Sequence, residues 1–303
     1  MKIMVSGLIN IETTCPIKQF PVEYFPIDYP FHKVASGISG VGYNLIRNFR
    51  KLEDDVTFVS MTGNDLWGDV IKQQLMKERF SMDCVYPILS STPQSVILYD
   101  NAGKREIYCD LKDFQEITID ISGLEKQIEE ADLIIACNSN FNRPICEVAR
   151  RKGKLIATDV HVFSNPEDEY NRDFLRNADI VFLSDEGVQT TPEELIREIY
   201  RIYHNKIIVM GCGSKGALLF EAETEKFTML PAVTTRPVVS TSGAGDALFS
   251  TFLHFYVKGD SPTESLRKAT YAASYKIGEK LSSEGFLSEE ELEKLMNEKR
   301  KQS

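Results

Sequence analysis

The sequence has few of the residues and patterns that mark several protein classes. Its six cysteines are scattered without a Cys-x-x-Cys pair, and 303 residues include only four histidines, which disfavours a disulfide framework or a structural metal site. It contains no run of 18 apolar residues, and the apolar start at 3–5 is too short for a signal peptide. We therefore expect a soluble cytoplasmic protein with reduced cysteines and no membrane partner.

A strong positive charge is also lacking. The chain has 45 acidic and 35 basic side chains, for a net charge of −10, and its compact basic run is Lys299–Lys301. Because non-specific nucleic-acid binding relies on a basic face, the sequence predicts no nucleic-acid partner. A local positive pocket for a small anionic ligand remains compatible with this charge.

Short apolar runs alternate with amphipathic segments along most of the chain. Strands are predicted at 3–9, 56–60, 133–136, 155–157, 180–183 and 207–210, and helices between the later ones at about 142–152, 169–178 and 192–204. Continuous apolar strands are typical of a parallel sheet covered on both faces. The alternation with helices predicts one doubly wound α/β domain over residues 1–303.

Two segments interrupt this alternation. Residues 12–35 are rich in Pro, Tyr and Phe, and residues 95–109 predict a hairpin with its turn at Asp100–Gly103. Together they are expected to form a small sheet, which is either a lid that excludes water from a site or an edge extension. Because an exposed sheet edge favours pairing with another chain, a homodimer through this lid is also expected.

The most informative segment is the polar run Thr241–Asp246, which leads directly into a helical pattern. Backbone N–H groups at Gly243, Ala244 and Gly245 would lie at the helix start, where the positive end of the dipole favours anions. A phosphoryl group in transfer is such an anion, and Asp246 can accept a proton from an attacking hydroxyl. An ordinary capped helix has the same local pattern, so this segment alone leaves both interpretations open.

The run Gly243–Asp246 closely resembles the signature of the ribokinase-like (phosphofructokinase-B) family of carbohydrate kinases, which carries the anion hole and the catalytic base. Other segments that resemble the family lie at 39–44, 61–68, 100–105 and 213–216. All of the matches occur in family order over about residues 3–290. The resemblance implies a ribokinase fold, ATP and Mg²⁺, and phosphorylation of an alcohol. It also implies that Asp246 is the base and that the three preceding N–H groups hold the developing charge.

The resemblance places the acceptor near the end of the first predicted strand. Asn10 and Glu12 stand where the family has Asn-x-Asp, whose carboxylate binds sugar hydroxyls; a solvated Glu12 is the alternative. Gly40 and Gly42 permit close backbone approach, and Asn44 is expected to contact the substrate, although Asn is also favoured at helix caps.

The nucleotide is assigned to two later strand ends. Gly213, Ser214 and Gly216 are similar to the family's nucleotide loop, although a tight turn between two strands has the same composition. Gly211 stands where the family commonly has Thr, and Ser184 stands where it has Asn. Both positions are expected to line the nucleotide site.

Other departures from the family lie near the metal and the start of the motif. The family's metal-side Glu falls on Gly187, so the neighbouring Glu186 is expected to reach Mg²⁺ through water. An Arg that usually follows the strand-end Asp159 is replaced by Phe163. Ser240 replaces the motif's first Asp, which argues against activation by a monovalent cation.

The sequence thus predicts an ATP-dependent kinase that phosphorylates a hydroxyl of a sugar, with a primary CH₂OH as the expected acceptor. A nucleoside kinase for pseudouridine or a purine nucleoside is one alternative, in which the aromatic residues between Phe20 and Phe31 stack a base instead of packing a lid core. A weakly active sugar-binding or regulatory relative is another, and it fits the replacements at Ser184, Gly187 and Ser240.

Overall fold

The computed structural model describes residues 1–101 and 104–301. Its strands in chain order are β1 (Lys2–Ser6), β2 (Asn10–Pro16), β3 (Ala35–Ser39), β4 (Asp55–Gly63), β5 (Val85–Leu89), β6 (Gln94–Tyr99), β7 (Arg105–Asp110), β8 (Leu133–Ala136), β9 (Leu155–Val162), β10 (Ile180–Ser184), β11 (Ile207–Gly211), β12 (Ala217–Glu221) and β13 (Lys226–Leu230). Its α-helices are α1 (Val41–Lys51), α2 (Leu66–Lys77), α3 (Glu125–Glu130), α4 (Arg143–Arg151), α5 (Arg172–Asn177), α6 (Pro192–Tyr203), α7 (Ala244–Lys258), α8 (Pro262–Lys276) and α9 (Glu289–Arg300).

The main sheet is mostly parallel. Across the described residues its nine strands run in the order β13-β12-β11-β10-β9-β8-β1-β4-β5, with β12 and β13 antiparallel at one edge. Strand β8 is buried at every position, as expected for an apolar strand with helices on both faces. One core cluster contains residues of α1, α7 and α8, and the cluster on the other face contains residues of α3 to α6. The predicted doubly wound α/β fold is confirmed.

A smaller sheet has the order β3-β2-β6-β7 in the described part of the chain. The pair β6–β7 is the predicted hairpin, and the residues of its turn at 102–103 lie outside the described residues. Strand β2 pairs with β3 antiparallel and with β6 parallel. Residues 17–34 join β2 to β3 without helix or strand.

The prediction of one continuous first strand over 3–9 is wrong. Strand β1 ends at Ser6, and the chain crosses to the smaller sheet, where it resumes as β2. The crossing requires a glycine at position 7, because a β-carbon there would lie 2.5 Å from Cys137 Sγ. Apolar character continues through Ile9, which is buried although it lies outside the strand, so the sequence pattern did not show the break.

No helix among the described residues is long and apolar enough to span a membrane.

Candidate active site

The predicted catalytic loop, Thr241–Asp246, leads into α7, which begins beside the carboxyl ends of several parallel strands. Asp246 lies close enough to Asp159 and His161, at the end of β9, for their charges to affect its pKa. A β-carbon on Gly211, at the end of β11, would lie 3.9 Å from Leu248 of α7. Ligands of open α/β sheets bind at this edge.

Gly243 makes the sharp turn into α7. Its φ is +77°, and a β-carbon would lie 2.5 Å from Ser282 O and 2.7 Å from Lys276 Cε. Ala244 N–H donates to Thr241 O at 3.3 Å. Gly245 is exposed in the first turn, with no atom within 4 Å of a β-carbon position. The structure thus brings the predicted anion-binding residues together at one helix start.

Asp246 is buried in the first turn of the same helix. Its Oδ2 accepts a hydrogen bond from Asn44 Nδ2 at 2.6 Å. The pKa of Asp246 is raised to about 6, mainly because burial disfavours the ionised form and also because Asp159 is nearby; the Asn44 hydrogen bond, His161 and Lys276 act in the opposite direction. A carboxyl group with a pKa this close to neutrality is suited to general base catalysis.

Two of the buried amide oxygens that lack a partner among the described residues belong to Asn44, beside this carboxyl group, and to Asn10, in the smaller sheet. Asn10, on β2, donates to Ser95 Oγ at 3.1 Å. In the described part of the chain, neither Asn10 Oδ1 nor Asn44 Oδ1 has a hydrogen-bond partner. Because buried polar atoms are nearly always paired, these two acceptors fit hydroxyl donors of a bound ligand.

Asn44 does not cap its helix, so the cap alternative is wrong. The N-cap residue of α1 is Gly40, with φ at +101°, and a β-carbon there would lie 2.6 Å from Leu8 O. A β-carbon on Gly42 would lie 2.7 Å from the carbonyl carbon of Gly7. The two glycines therefore let α1 pack against the crossing between β1 and β2, which brings Asn44 to the site.

Glu12 is buried rather than solvated, so that alternative is also wrong. Its carboxylate accepts hydrogen bonds from Ser39 Oγ at 2.9 Å, from Ser282 N at 3.3 Å, and from Ser282 Oγ. It therefore joins the smaller sheet to the segment that also packs against Gly243.

The predicted nucleotide residues lie on β10, on β11 and in the turn after it. Ser184 and Gly211 are direct neighbours in the sheet. Gly213 and Ser214 are exposed in a short 3₁₀ turn. The turn requires Gly216, since its φ is +115° and a β-carbon would overlap Leu230 O. The tight-turn interpretation thus accounts for Gly216, and the exposed pair remains accessible to a ligand.

The described residues contain no group of three or more His, Cys, Asp and Glu side chains that could enclose a metal ion. Glu186 is exposed, and its N–H donates to Ser184 Oγ at 3.2 Å. Asp159 is buried and lies near Asp246. Mg²⁺ usually keeps several waters and takes one or two carboxylates together with substrate phosphates, and this sparse donor set fits that use.

Three residues at the site were not singled out from the sequence. Lys276, at the end of α8, is fully buried against Gly243. His161 has a φ of +57° beside Asp159. Arg105 of β7 donates to Thr241 Oγ1 at 2.8 Å, so the hairpin contacts the catalytic loop. His161 follows the strand-end Asp by two residues and Arg105 ends the family-like segment 100–105, whereas Lys276 had no local signal.

An anion-binding helix start and a buried carboxylate at the edge of a parallel sheet define an enzyme that transfers a phosphoryl group to a small molecule. The model of the pfkB family carbohydrate kinases matches residues 2–298. The chain belongs to this family and is a sugar kinase.

The chain is similar to several kinases. It is 21% identical over 274 residues to acarbose 7(IV)-phosphotransferase of Actinoplanes sp., covering 90% of this chain and 91% of that protein. It is 24% identical over 303 residues to 5-dehydro-2-deoxygluconokinase of Mesomycoplasma hyopneumoniae, covering 86% of each. The fold matches that of Arabidopsis thaliana ribokinase complexed with ribose and ATP, with a TM-score of 0.78, 22% identity, and coverage of 97% of this chain and 98% of that one.

Proposed function

We propose that this carbohydrate kinase transfers the γ-phosphoryl group of ATP to a hydroxyl of a sugar, with a primary CH₂OH as the acceptor and Asp246 as the general base. The observation that carries the proposal is the buried Asp246, whose carboxylate is held by Asn44 at the start of α7. Related proteins support the donor, since the similar ribokinase structure is described with ribose and ATP.

The side chains and backbone groups of the site act in three ways in this reaction. Asn10 Oδ1 and Asn44 Oδ1 accept hydrogen bonds from sugar hydroxyls and orient the acceptor. Asp246 takes the proton of the attacking hydroxyl as the new O–P bond forms and the bond to ADP breaks. The N–H groups of the segment 243–245 stabilise the negative charge that spreads over the transferred phosphoryl oxygens, with the Ala244 N–H shared between a phosphoryl oxygen and Thr241 O.

Glu12 has two roles in this proposal, one in connecting parts of the site and one in binding the sugar. Its oxygens already accept hydrogen bonds from Ser39 and Ser282, so it connects the acceptor side of the site to the segment that packs against Gly243. Each carboxylate oxygen has more than one lone pair, so a sugar hydroxyl can still bind it.

The nucleotide side is formed by Ser184, Gly211, Gly213 and Ser214. Gly211 pairs with Ser184 in the sheet and lies beside Leu248 near the start of α7. This arrangement supports a position of the ATP phosphates toward the helix N-terminus. Asp159 and Glu186 would hold Mg²⁺ through its water shell, and Mg²⁺ would supply charge neutralisation at the phosphates.

A substrate panel tests the acceptor. The purified protein is given Mg-ATP with hexoses, pentoses, oligosaccharides and nucleosides, and both ADP release and the phosphorylated product are measured. We expect ADP release that depends on a sugar and a phosphate ester on that sugar. A product found only with pseudouridine or purine nucleosides would instead support a nucleoside kinase. Sugar-induced thermal stabilisation without turnover by any nucleotide would support a sugar-binding relative.

We also propose that the smaller sheet is a lid, built from about residues 12–35 and 95–109, because Arg105 reaches the catalytic loop. The Arg105→Ala variant should raise the KM for sugar about 3- to 30-fold and increase ATP hydrolysis without sugar, since the lid would close less completely over the loop. Steady-state kinetics with a coupled ADP assay measure both. Lys104→Ala, which removes a charge from the same hairpin and the contact of Lys104 Nζ with the Phe20 ring, is the control for packing within the lid. Equal effects of the two variants would contradict a specific role of the Arg105 contact.

We further propose that two copies of the chain associate through this lid. Strand β7 is an edge strand whose residues are all exposed, including Ile107 and Tyr108. Tyr24, Phe25 and Phe31 are also exposed, so they do not pack a lid core. A surface with this much apolar area favours an interface. Sedimentation velocity should show a dimer for the wild type and a monomer for Ile107→Lys with unchanged melting. A wild-type monomer at micromolar concentration would refute the dimer.

A further inference from the structure

Lys276 is a fully buried lysine beside the catalytic loop. Lysine side chains are rarely buried completely unless their charge is compensated. This one ends α8 and passes beneath Gly243, where a β-carbon would lie 2.7 Å from its Cε. Its Nζ donates to Leu281 O at 2.8 Å. The ammonium group is therefore placed where the loop of α7 meets the segment after α8.

The charges that face Lys276 come from several elements. Burial lowers the pKa of Lys276 to about 8, whereas the carboxylates of Glu12, Asp246, Glu279 and Glu284 raise it. Glu12 and Asp246 are themselves buried, on β2 and α7. The ammonium group of Lys276 is therefore attracted by buried carboxylates on two different elements, which favours its charged form against the effect of burial.

The same cation also fixes the shape of the loop. The carbonyl of Ser282 packs against Gly243, and the N–H of Ser282 donates to Glu12. Lys276 holds the neighbouring carbonyl of Leu281, so the segment 281–283 connects the acceptor side to the anion-binding turn. Loss of the ammonium group would free this segment and shift Gly243.

We propose that Lys276 provides a built-in cation, which supports the anion-binding start of α7 and makes the enzyme independent of any exchangeable monovalent ion. Ser240 stands at the first position of the motif, where the resemblance predicts an Asp, and its N–H donates to the carbonyl of Ile277, the residue after Lys276, at 3.1 Å. An acidic group is thus absent close to the lysine that supplies the positive charge. Lys276 is a positioning residue, and the proposal rests on the proposed kinase function.

Chemical rescue tests the proposal. In Lys276→Ala, the lost side chain leaves space for a small ammonium ion, whereas in Lys276→Met the side chain fills that space without a charge. Wild-type kcat should be equal in potassium, sodium and choline chloride at one ionic strength. Both variants should lose at least about 30-fold in kcat, as expected for a disordered anion site. Methylammonium chloride should restore activity at least fivefold in Lys276→Ala and not in Lys276→Met.

A second readout does not depend on turnover. Methylammonium should raise the melting temperature of Lys276→Ala above its value in choline chloride, and it should leave the melting temperatures of the wild type and Lys276→Met unchanged.

If no sugar is phosphorylated by the wild type, the kinase proposal fails, while this thermal comparison still tests the role of the Lys276 cation. Activation of the wild type by potassium, normal kcat in Lys276→Met, or equal melting of Lys276→Ala in both salts would overturn the proposal. If Lys276→Ala does not fold, the wild-type salt series and Lys276→Met still decide it.

Discussion

The Asp246→Asn variant is expected to fold and to lose about 10²- to 10⁴-fold in kcat, the range usual for loss of a general base. Asparagine keeps the shape of the side chain, and its oxygen can still accept the hydrogen bond from Asn44. It cannot take the proton from the sugar hydroxyl. Single-turnover transfer of labelled phosphate measures the chemical step directly.

Binding and stability provide the controls for this variant. The dissociation constants for sugar and ATP should change less than tenfold, because the contacts of Asn10 and the nucleotide loop remain.

The Asp246→Asn variant should also have a more stable fold than the wild type. The pKa of Asp246 rises from an unfolded value near 3.8 to about 6 in the fold, so ionisation of this side chain costs folding free energy at neutral pH. The stabilisation should be absent below about pH 4, grow between about pH 4 and 6, and approach about 3 kcal/mol above that range. Retention of wild-type kcat would remove Asp246 from the role of base.

The Gly243→Ala variant should disrupt the site through its backbone. A side chain at a φ of +77° is strained, and the new methyl group would meet Ser282 O at 2.5 Å. Strain and overpacking together should cost about 2–5 kcal/mol of unfolding free energy. Displacement of the turn should lower kcat by at least about 10²-fold, since the N–H groups no longer point to one place. Denaturant unfolding and steady-state kinetics measure the two effects.

Gly245→Ala is the matched control for stability. Gly245 lies two residues further along the same helix, and a β-carbon there meets no atom within 4 Å. Alanine is favoured over glycine inside a helix by about 1 kcal/mol, so this variant should be as stable as the wild type or more stable. If Gly243→Ala were equally stable, the close packing of the turn against Ser282 and Lys276 would be wrong.

The main features of the fold were predictable because the apolar runs of a doubly wound sheet are local signals. The fully buried β8 and the helix α7, into which the motif leads, follow directly from such runs. The crossing after Ser6 was missed because Ile9 stays buried after it leaves the main sheet. Periodicity reports burial, and it does not report which sheet a buried residue joins.

The site was predictable where one short segment contains its residues, as in Gly243–Asp246. The residues that were missed come from distant parts of the chain. Lys276 lies 33 positions after Gly243 in the sequence and contacts it only in the fold, and Arg105 reaches Thr241 across 136 positions. Lys276 has no local pattern that distinguishes it from an ordinary surface cation. The family-like segment 100–105 includes Arg105 but does not indicate its contact with Thr241, so only tertiary structure reveals either place.

The pH dependence of kcat/KM for the wild type is the most direct test of the central claim, that Asp246 with its raised pKa is the base of a sugar kinase. The rate should fall about tenfold per pH unit below a midpoint near pH 6 and should level off about one pH unit above that midpoint, because only the ionised carboxylate accepts the proton. The residual activity of Asp246→Asn should lack this acid limb. A wild-type midpoint near pH 4, or the same limb in Asp246→Asn, would contradict the assignment.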